Sequence, residues 1–326
     1  MKAPGFWTEG GLLSDILAPV GWLWAVGSAW RAKRGVKPYK APVPVICIGN
    51  LVAGGAGKTP VALAIAEMVP GAHFLSQGYG GSELGPVRVD LNSHTHRQVG
   101  DEPLLLAEKA PCWVSKNRAK GAKAAAAGGA KALIMDDGFQ NPSLVKDLSI
   151  IVVDGHVGFG TGRCIPAGPL REPVSWGLAR AGAVVIVGED KKNIARLARQ
   201  HNVPVLRAHL EHEAEASALA GQPVVAFAGI GRPNKFFHSL ERLGANIVEA
   251  YAFPDHHPYH PNELTELMGR ATMHEAALIT TAKDLVRIPA HLRNEVGVLN
   301  VIISWEDEDA VLKVLSKVVA VAGENR

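Results

Sequence analysis

The stretch Val45–Ala66 limits the possible folds of this chain more than any other. An apolar, β-branched run leads into a glycine-rich loop, then Lys-Thr, then an alanine-rich amphipathic segment. This order predicts a strand, a phosphate-binding loop and a helix, because loop amides and the positive end of a helix dipole bind phosphate oxygens. The lysine supplies charge to the outer phosphates, and the threonine hydroxyl is a Mg²⁺ ligand. The predicted nucleotide-binding residues are Gly54, Gly55, Ala56, Gly57, Lys58, Thr59 and Pro60.

This loop is a variant of the common pattern. The spacing G-x-x-x-x-G-K-[ST] requires glycine where Val52 stands, and the nearest upstream glycine is Gly49. An ordinary glycine-rich turn between strand and helix is the alternative. The preceding apolar run, the Gly-Lys-Thr sequence and the following helix together favour nucleotide phosphate binding.

The first 40 residues predict contact with a membrane. Phe6 to Trp30 is apolar and holds four of the seven tryptophans, and no acid occurs between Asp15 and Glu67. Basic residues that follow the apolar segment, rather than precede it, argue against a cleavable signal peptide, and Pro19 weakens a spanning helix. We expect a helix in the interface of the cytoplasmic membrane, with its cations on anionic lipid. The alternative is a soluble amphipathic helix docked on the protein. The basic run comprises Arg31, Lys33, Arg34, Lys37 and Lys40.

Composition adds little about partners. A net charge of +3 argues neither for nor against an acidic partner, and we expect no nucleic acid and no obligate protein partner. Cys47, Cys112 and Cys164 lie far apart in apolar surroundings, which predicts buried, reduced thiols rather than a disulfide framework.

Strands and helices alternate from Val45 to Leu206, which predicts a doubly wound parallel sheet like that of the P-loop NTPases. After Glu211–Gly221 a second, smaller α/β unit begins, in which we include a strand at Val298–Ile303 and a closing helix at Glu308–Val321. The predicted division is a membrane-interface helix with its basic segment (1–40), a P-loop domain (41–215) and a second α/β domain (216–326).

Four acidic residues are candidates for metal binding or for a place in the active-site cleft. Asp136 and Asp137 end an apolar strand, and in a chain with a phosphate loop this is the place of a second Mg²⁺ contact. Capping of the next turn would explain one such acid more easily than two. Asp101 and Glu102 precede a proline at a helix start, where they either cap the helix or project as a pair of carboxylates into a cleft.

Two further segments hold candidate residues. Gly158–Pro173 contains Arg163 and Arg171 among glycines and prolines, which suits phosphate recognition, with simple surface arginines as the alternative. His256 and His260 admit metal binding, a solvated loop, or an acid–base element facing the nucleotide. The pair Lys283-Asp284 resembles the base-reading motif of GTPases but lacks its spacing.

Six motifs in this order resemble the tetraacyldisaccharide 4'-kinase family over nearly the whole chain. That family also lacks glycine at the position of Val52. The sequence departs from it at Gln77, where the family usually has arginine, and at Asn141, where histidine commonly follows DDGFQ. The motifs are IGNLVAGGAGKTP (48–60), SQGYGG (76–81), GDEP (100–103), DDGFQ (136–140), PAGPLREP (166–173) and FPDHHPY (253–259).

The resemblance implies transfer of the ATP γ-phosphate to the 4'-hydroxyl of tetraacyldisaccharide 1-phosphate, giving lipid IVA at the cytoplasmic face of the inner membrane. It implies ATP and Mg²⁺ as cofactors, a lipid disaccharide substrate, and a cleft between two domains. By matching positions, Asp101 is the catalytic base, paired with His256, and Arg171 is a phosphate ligand. The same matching implies that Lys58 and Thr59 bind phosphate and Mg²⁺. It also implies that Asp136 and Asp137 belong to the metal region.

Two other classes of protein remain as alternatives. A P-loop switch or assembly NTPase at the membrane would carry a guanine-reading Asn-Lys-x-Asp and a clear switch threonine, and the sequence shows neither. A membrane-bound phosphoesterase could use the histidine cluster with a metal, but it would have no use for the Gly-Lys-Thr loop.

Overall fold

A computed structural model describes residues 4–33 and 37–320 of the chain. The excluded residues contain Arg34 of the basic run, Val321 of the predicted closing helix and the outer ends of the predicted first and last domains.

Regular elements alternate along most of the described chain. The strands are β1 (Val45–Gly49), β2 (Ala72–Ser76), β3 (Val87–Arg88), β4 (Cys112–Val114), β5 (Ala132–Asp136), β6 (Leu148–Asp154), β7 (Ala183–Val187), β8 (Val205–His212), β9 (Pro223–Ala228), β10 (Asn246–Ala252), β11 (Ala277–Thr281), β12 (Gly297–Leu299) and β13 (Val301–Trp305). The helices are α1 (Phe6–Glu9), α2 (Leu12–Lys33), α3 (Lys58–Met68), α4 (His96–Val99), α5 (Asp101–Lys109), α6 (Arg118–Ala127), α7 (Val174–Leu178), α8 (Ile194–Gln200), α9 (Pro233–Arg242), α10 (Pro261–Met273), α11 (Ala282–Leu285) and α12 (Glu308–Leu315).

A nine-stranded sheet forms the larger unit of the described chain, in the order β13-β8-β7-β6-β1-β5-β2-β4-β3. Its central strands are parallel, and only β3 and β13, at the two edges, run antiparallel to their neighbours. Strand β1 is buried along its whole length between β5 and β6. The predicted doubly wound parallel sheet is therefore confirmed.

Helices cover both faces of this sheet. Alternate residues of β1 point to opposite sides, so Ile46 and Ile48 pack in one core with α3, α5 and α12. Val45 and Cys47 face the other core, with α6, α7 and α8. A strand buried on both faces must be apolar throughout, which explains the continuous apolar run that precedes the glycine-rich loop.

The smaller unit is a four-stranded parallel sheet in the order β10-β9-β11-β12. Helix α9 packs on one face through Phe236 and Leu240, and α10 packs on the other through Leu264 and Leu267. The predicted second α/β unit is present.

The end of the chain does not stay with the smaller unit. The sequence predicts one strand over Val298–Ile303, whereas the structure has two, on either side of Asn300. Strand β12 ends the small sheet, while β13 pairs with β8 and α12 buries Val311 and Leu315 against the large sheet. Strand β13 extends the large sheet at its edge and α12 covers a face of it with apolar side chains, which is the physical reason for this return.

Helix α2 packs against the larger unit through one narrow face. Ser14 is buried and its hydroxyl donates to the Ala167 carbonyl, and a side chain at Gly21 would collide with the backbone of Cys164. The other faces of α2 carry exposed apolar side chains, among them Leu12, Ile16, Val20, Trp22 and Leu23. By length and composition this helix is able to cross a membrane.

Candidate active site

The predicted site residues from five segments meet at the carboxyl edge of the large sheet. The loops after β1, β5 and β6 leave this edge because the three strands are parallel neighbours. Open α/β sheets bind their ligands in the crevice at this edge. The start of α5 and the loops after β9 and β10 of the smaller unit reach the same place.

The loop between β1 and α3 has the backbone of a phosphate cradle. Gly54 has φ 129° and Gly57 has φ 82°, backbone conformations that residues other than glycine rarely adopt. The buried Asn50 donates through Nδ2 to the Gly54 carbonyl at 3.1 Å. Val52 forms an antiparallel bridge with Leu170, so this position needs an extended residue and not the glycine of the common pattern.

Asp136 and Thr59 form the part of the site that fits a magnesium ion. Thr59 Oγ1 lies 3.5 Å from Asp136 Oδ2. Burial, only partly opposed by Lys58, raises the pKa of Asp136 to about 6, and among the described residues its Oδ1 is buried without a hydrogen-bond partner. A carboxylate oxygen left unpaired beside a hydroxyl suits a hard cation that keeps water and phosphate oxygens as its other ligands.

Asp137 lies at the centre of a cluster of cations. Arg171 donates to both of its carboxylate oxygens, at 3.0 and 3.3 Å, and Lys58 Nζ lies 3.7 Å away. Burial would raise the pKa of Asp137, but Lys58 and Arg171 outweigh it and lower the pKa below its usual value. Its backbone has φ 50°, the left-handed region, which turns the chain directly after β5. Asp137 therefore holds two cations beside the phosphate loop.

Asp101 and His256 meet across the two units. His256 Nδ1 lies 2.8 Å from Asp101 Oδ2, and Nδ1 is the donor because an ionised carboxylate only accepts. Asp101 is 5 % exposed, at the first residue of α5, and Arg287 Nε lies 3.5 Å from the same oxygen. Tyr79 of the SQGYGG segment lies over His256, with ring centroids 6.0 Å apart.

The protonation of this pair follows from its contacts. The hydrogen bond to Asp101 raises the pKa of His256 despite its partial burial. Burial would raise the pKa of Asp101, but the His256 hydrogen bond and the charge of Arg287 lower it. Asp101 is thus ionised near neutral pH, held in place, and able to accept a proton.

Lys283 and Asp284 do not form a base-reading pair. Lys283 forms an ion pair with Glu102. Asp284 is fully buried and accepts from the Gly229 amide at 2.8 Å, the Tyr259 hydroxyl at 2.6 Å and Arg287 at 2.6 Å. These bonds hold together the loops that carry His256.

The other two histidines of the segment have structural contacts. His257 Nε2 lies 3.1 Å from both carboxylate oxygens of Glu263, and the His260 amide donates to Glu263 at the start of α10. Within 4–33 and 37–320, no three His, Cys, Asp or Glu side chains form a group able to hold a metal by themselves. Of the three interpretations of this segment, the acid–base element agrees best with the His256 contact.

Some predicted residues lie apart from this cluster. Arg163 forms an ion pair with Asp15 and donates to Ser14 Oγ, so it binds α2 to the loop after β6. Gln77 is exposed. Asn141 Oδ1 accepts from the amide and hydroxyl of Ser143, which makes it a turn-forming residue.

Three charged residues at the site were missed by the sequence analysis. Asp154 ends the buried strand β6, so the rule that singled out Asp136 would also have found it. Arg287 is fully buried beside Asp101, but its partner is distant in sequence. Arg232 follows a strand of the smaller unit in a Gly-Arg-Pro turn and donates to the Gly55 carbonyl of the phosphate loop at 2.8 Å.

Known proteins similar to this chain agree with one another. The family model described as Tetraacyldisaccharide-1-P 4'-kinase matches residues 13–320. A protein named Tetraacyldisaccharide 4'-kinase from Rhodospirillum centenum is 53% identical over 326 residues, 97% of this chain and 96% of that protein. One of the same name from Paramagnetospirillum magneticum is 51% identical over 313 residues, 94% of this chain and 95% of that protein. The crystal structure of the "apo" form of LpxK from Aquifex aeolicus in complex with ATP is also similar, with a TM-score of 0.76 and 27% identity over 95% of this chain and 100% of that one.

Proposed function

This chain belongs to the tetraacyldisaccharide 4'-kinase family, and from that premise we propose how its residues act on the substrates. The chain is an ATP-dependent kinase. It transfers the γ-phosphate of ATP to the 4'-hydroxyl of tetraacyldisaccharide 1-phosphate and so forms lipid IVA in lipid A biosynthesis.

Asp101 is the proposed general base, and His256 is its partner. The acceptor hydroxyl becomes acidic as its oxygen bonds to phosphorus, so a positioned carboxylate need not be as basic as an alkoxide. The observation that carries this role is the 2.8 Å contact between Asp101 and His256 at the sheet edge that also bears the phosphate loop. Since His256 belongs to the smaller unit, the base is complete only where the two units meet.

The phosphate loop and its cations are the proposed site of the triphosphate. Amides of the Gly54–Thr59 segment hold phosphate oxygens, and Lys58 neutralises the outer phosphates. Arg171 is a proposed phosphate ligand, which Asp137 holds beside Lys58 until the nucleotide binds. Thr59, Asp136 and Asp137 are the proposed residues of the metal region. Bound Mg²⁺ would neutralise charge on the transferred group.

Helix α2 is the proposed site of membrane contact. Its exposed apolar side chains agree with a helix that lies in the interface while its buried face stays on the protein. The acyl chains of the substrate remain in the bilayer, so an enzyme that acts on the sugar must work at the membrane surface. We place the enzyme at the cytoplasmic face of the inner membrane, as a peripheral or monotopic protein, because ATP is there.

One incubation tests the reaction. The purified protein with ATP, Mg²⁺ and the tetraacylated disaccharide 1-phosphate is expected to yield a lipid heavier by one phosphoryl group in mass analysis. Hydrolysis of ATP without a change in the lipid would instead favour a switch or assembly NTPase. Loss of phosphate from the lipid would favour a phosphoesterase.

A further inference from the structure

The smaller unit contacts the phosphate loop directly. Arg232, in the turn between β9 and α9, donates through Nη2 to the Gly55 carbonyl at 2.8 Å. Its other terminal nitrogen, Nη1, lies 3.5 Å from Asp154 Oδ2 at the end of β6. We propose that Arg232 is a positioning residue, by which the smaller unit sets the shape of the phosphate cradle before ATP arrives.

Peptide geometry gives this contact its effect. The Gly55–Ala56 peptide is trans, so its carbonyl and its N–H point in opposite directions. Because Arg232 holds the Gly55 oxygen on its own side of the loop, the Ala56 N–H is directed to the opposite side. An amide fixed toward the phosphates beforehand need not reorganise when they bind, and such preorganised donors bind anions better than mobile ones.

The loop needs such fixing because of its glycines. Gly54 and Gly57 have positive φ and restrict the backbone little. Two of the other bonds that hold the loop run from Asn50 to the Gly54 carbonyl and from the Ala53 amide to the Pro169 carbonyl, the latter at 2.7 Å. Both come from the larger unit and hold the first half of the loop. The bond from Arg232 holds the second half and depends on contact between the units.

Asp154 holds Arg232 in position. It is buried, and its Oδ1 accepts from the amides of His156 and Val157, which orients the carboxylate. Its Oδ2 faces Arg232 and Lys235, the latter at 3.3 Å. Burial would raise the pKa of Asp154, but Lys235, the His156 amide and Arg232 lower it, so the carboxylate stays ionised.

The turn that carries Arg232 is also tied to the catalytic pair. The His256 amide donates to the Gly229 carbonyl at 3.0 Å, and Arg287 donates to the same oxygen at 2.9 Å. One turn of the smaller unit therefore reaches the phosphate loop on one side and the partner of Asp101 on the other. Displacement of the smaller unit would disturb the cradle and the base together.

Hydrogen–deuterium exchange in the nucleotide-free protein tests the proposal without reference to catalysis. Arg232→Ala is expected to speed exchange in the peptide that covers residues 50–60. It is also expected to weaken the binding of ATP and of ADP by the same factor, about tenfold, because one charge-assisted hydrogen bond at a half-exposed site is lost. The factor is the same because both nucleotides bind in the cradle. Arg232→Lys, which keeps a cationic donor, is expected to recover part of both losses. Arg242→Ala, at the exposed end of the same helix, is the control and is expected to change neither.

Two results would overturn this role. Unchanged exchange in Arg232→Ala would show that the loop keeps its shape alone. Loss of ATP affinity with ADP affinity intact would make Arg232 a ligand of the terminal phosphate instead. The proposal rests on the proposed function, but phosphate transfer to the lipid by the unaltered protein is measured separately. A failure of that reaction would count against the proposed function, while hydrogen–deuterium exchange in the variant tests the positioning role of Arg232.

Discussion

At the scale of single residues, the strongest claim concerns the carboxylate of Asp101. Asp101→Asn keeps the shape of the side chain but removes the negative charge that accepts the proton. We expect kcat to fall about a hundredfold or more, the usual scale for a positioned general base, while the Kd for ATP changes little. Steady-state kinetics with the lipid and calorimetry with ATP give the two values.

Asp309→Asn is a matched control for this substitution. Asp309 also stands in the first turn of a helix, but it is exposed on α12, away from the site. Its kcat is expected to equal that of the unaltered protein. Comparable turnover in Asp101→Asn and the control would remove Asp101 from the role of base.

The buried carboxyl of Asp136 makes stability depend on pH. Its pKa is about 6 in the folded protein against the ordinary aspartate value of 3.8, so the folded state binds more protons between these values. Stability contributed by the protonated form is therefore present at low pH and is lost as pH rises through about 6, by a total of about 3 kcal/mol. Without metal and nucleotide, Asp136→Asn is expected to raise Tm by a few degrees at pH 8 and by about half as much at pH 5.

Thermal unfolding in the presence of a chelator at both pH values measures this difference. An equal shift of Tm at pH 5 and pH 8 would contradict the raised pKa. Added Mg²⁺ and ATP are expected to stabilise the unaltered protein more than Asp136→Asn, because the variant lacks one of the carboxylates proposed to bind the metal.

Single residues were predictable where one local rule sufficed. The glycine-rich loop and the acid at the end of β5 follow from strand order and phosphate chemistry alone. The pairing of Asp101 with His256 came from the family resemblance, since no local pattern links residues so far apart. Arg287 and Arg232 act across the two units, and nothing in the adjacent sequence reveals their partners in the larger unit.

At the scale of elements, too, features set by local sequence were predictable and features set by distant contacts were not. Strands β1, β5, β6 and β7 were predictable because each is a short, continuous apolar run. Helix α10 was missed, although Pro261 at its first turn and the Glu263 capping box are local signals of a helix start. Helix α5 begins at Asp101 rather than at Leu104 because a proline is tolerated in the first turn.

Helix α2 is the element with the clearest separate role. Ile16 and Leu23 are each 63% exposed, and charges there would be carried into the interface on binding. We expect Ile16→Glu with Leu23→Glu to abolish cosedimentation with vesicles that contain anionic lipid, because burying a carboxylate in a bilayer is unfavourable. Met273→Glu, a change at a similarly exposed apolar residue of the smaller unit, is the control and is expected to leave binding intact. Removal of residues 1–37 should likewise release the protein, and unchanged pelleting of either variant would refute membrane contact through α2.

At the scale of the whole molecule, the two units meet mainly through charged and polar groups, while Val286 of the smaller unit packs in a core of the larger one. The charged contacts between them include Asp101 with His256 and Arg287, Glu102 with Lys283, and Asp154 with Arg232 and Lys235. Polar interfaces of this kind separate more readily than apolar cores, so relative motion of the units is expected. If Asp101 is the base, as proposed, catalysis requires the arrangement in which these contacts are made.

Because the chain returns to the larger unit after β12, cutting it between the units tests whether 216–326 is an independent domain. Proteolysis at a specific site inserted between Ala220 and Gly221, both exposed, would cut the chain near the predicted boundary at 215–216. Because β13 pairs with β8, and α12 buries Val311 and Leu315 in the core of the larger unit, we expect the two pieces to stay together after cleavage. Size-exclusion chromatography in buffer and in urea distinguishes a nicked complex from separated domains. Separation in buffer alone would mean that 216–326 folds as an independent domain, and that the last strand and helix contribute little to the larger unit.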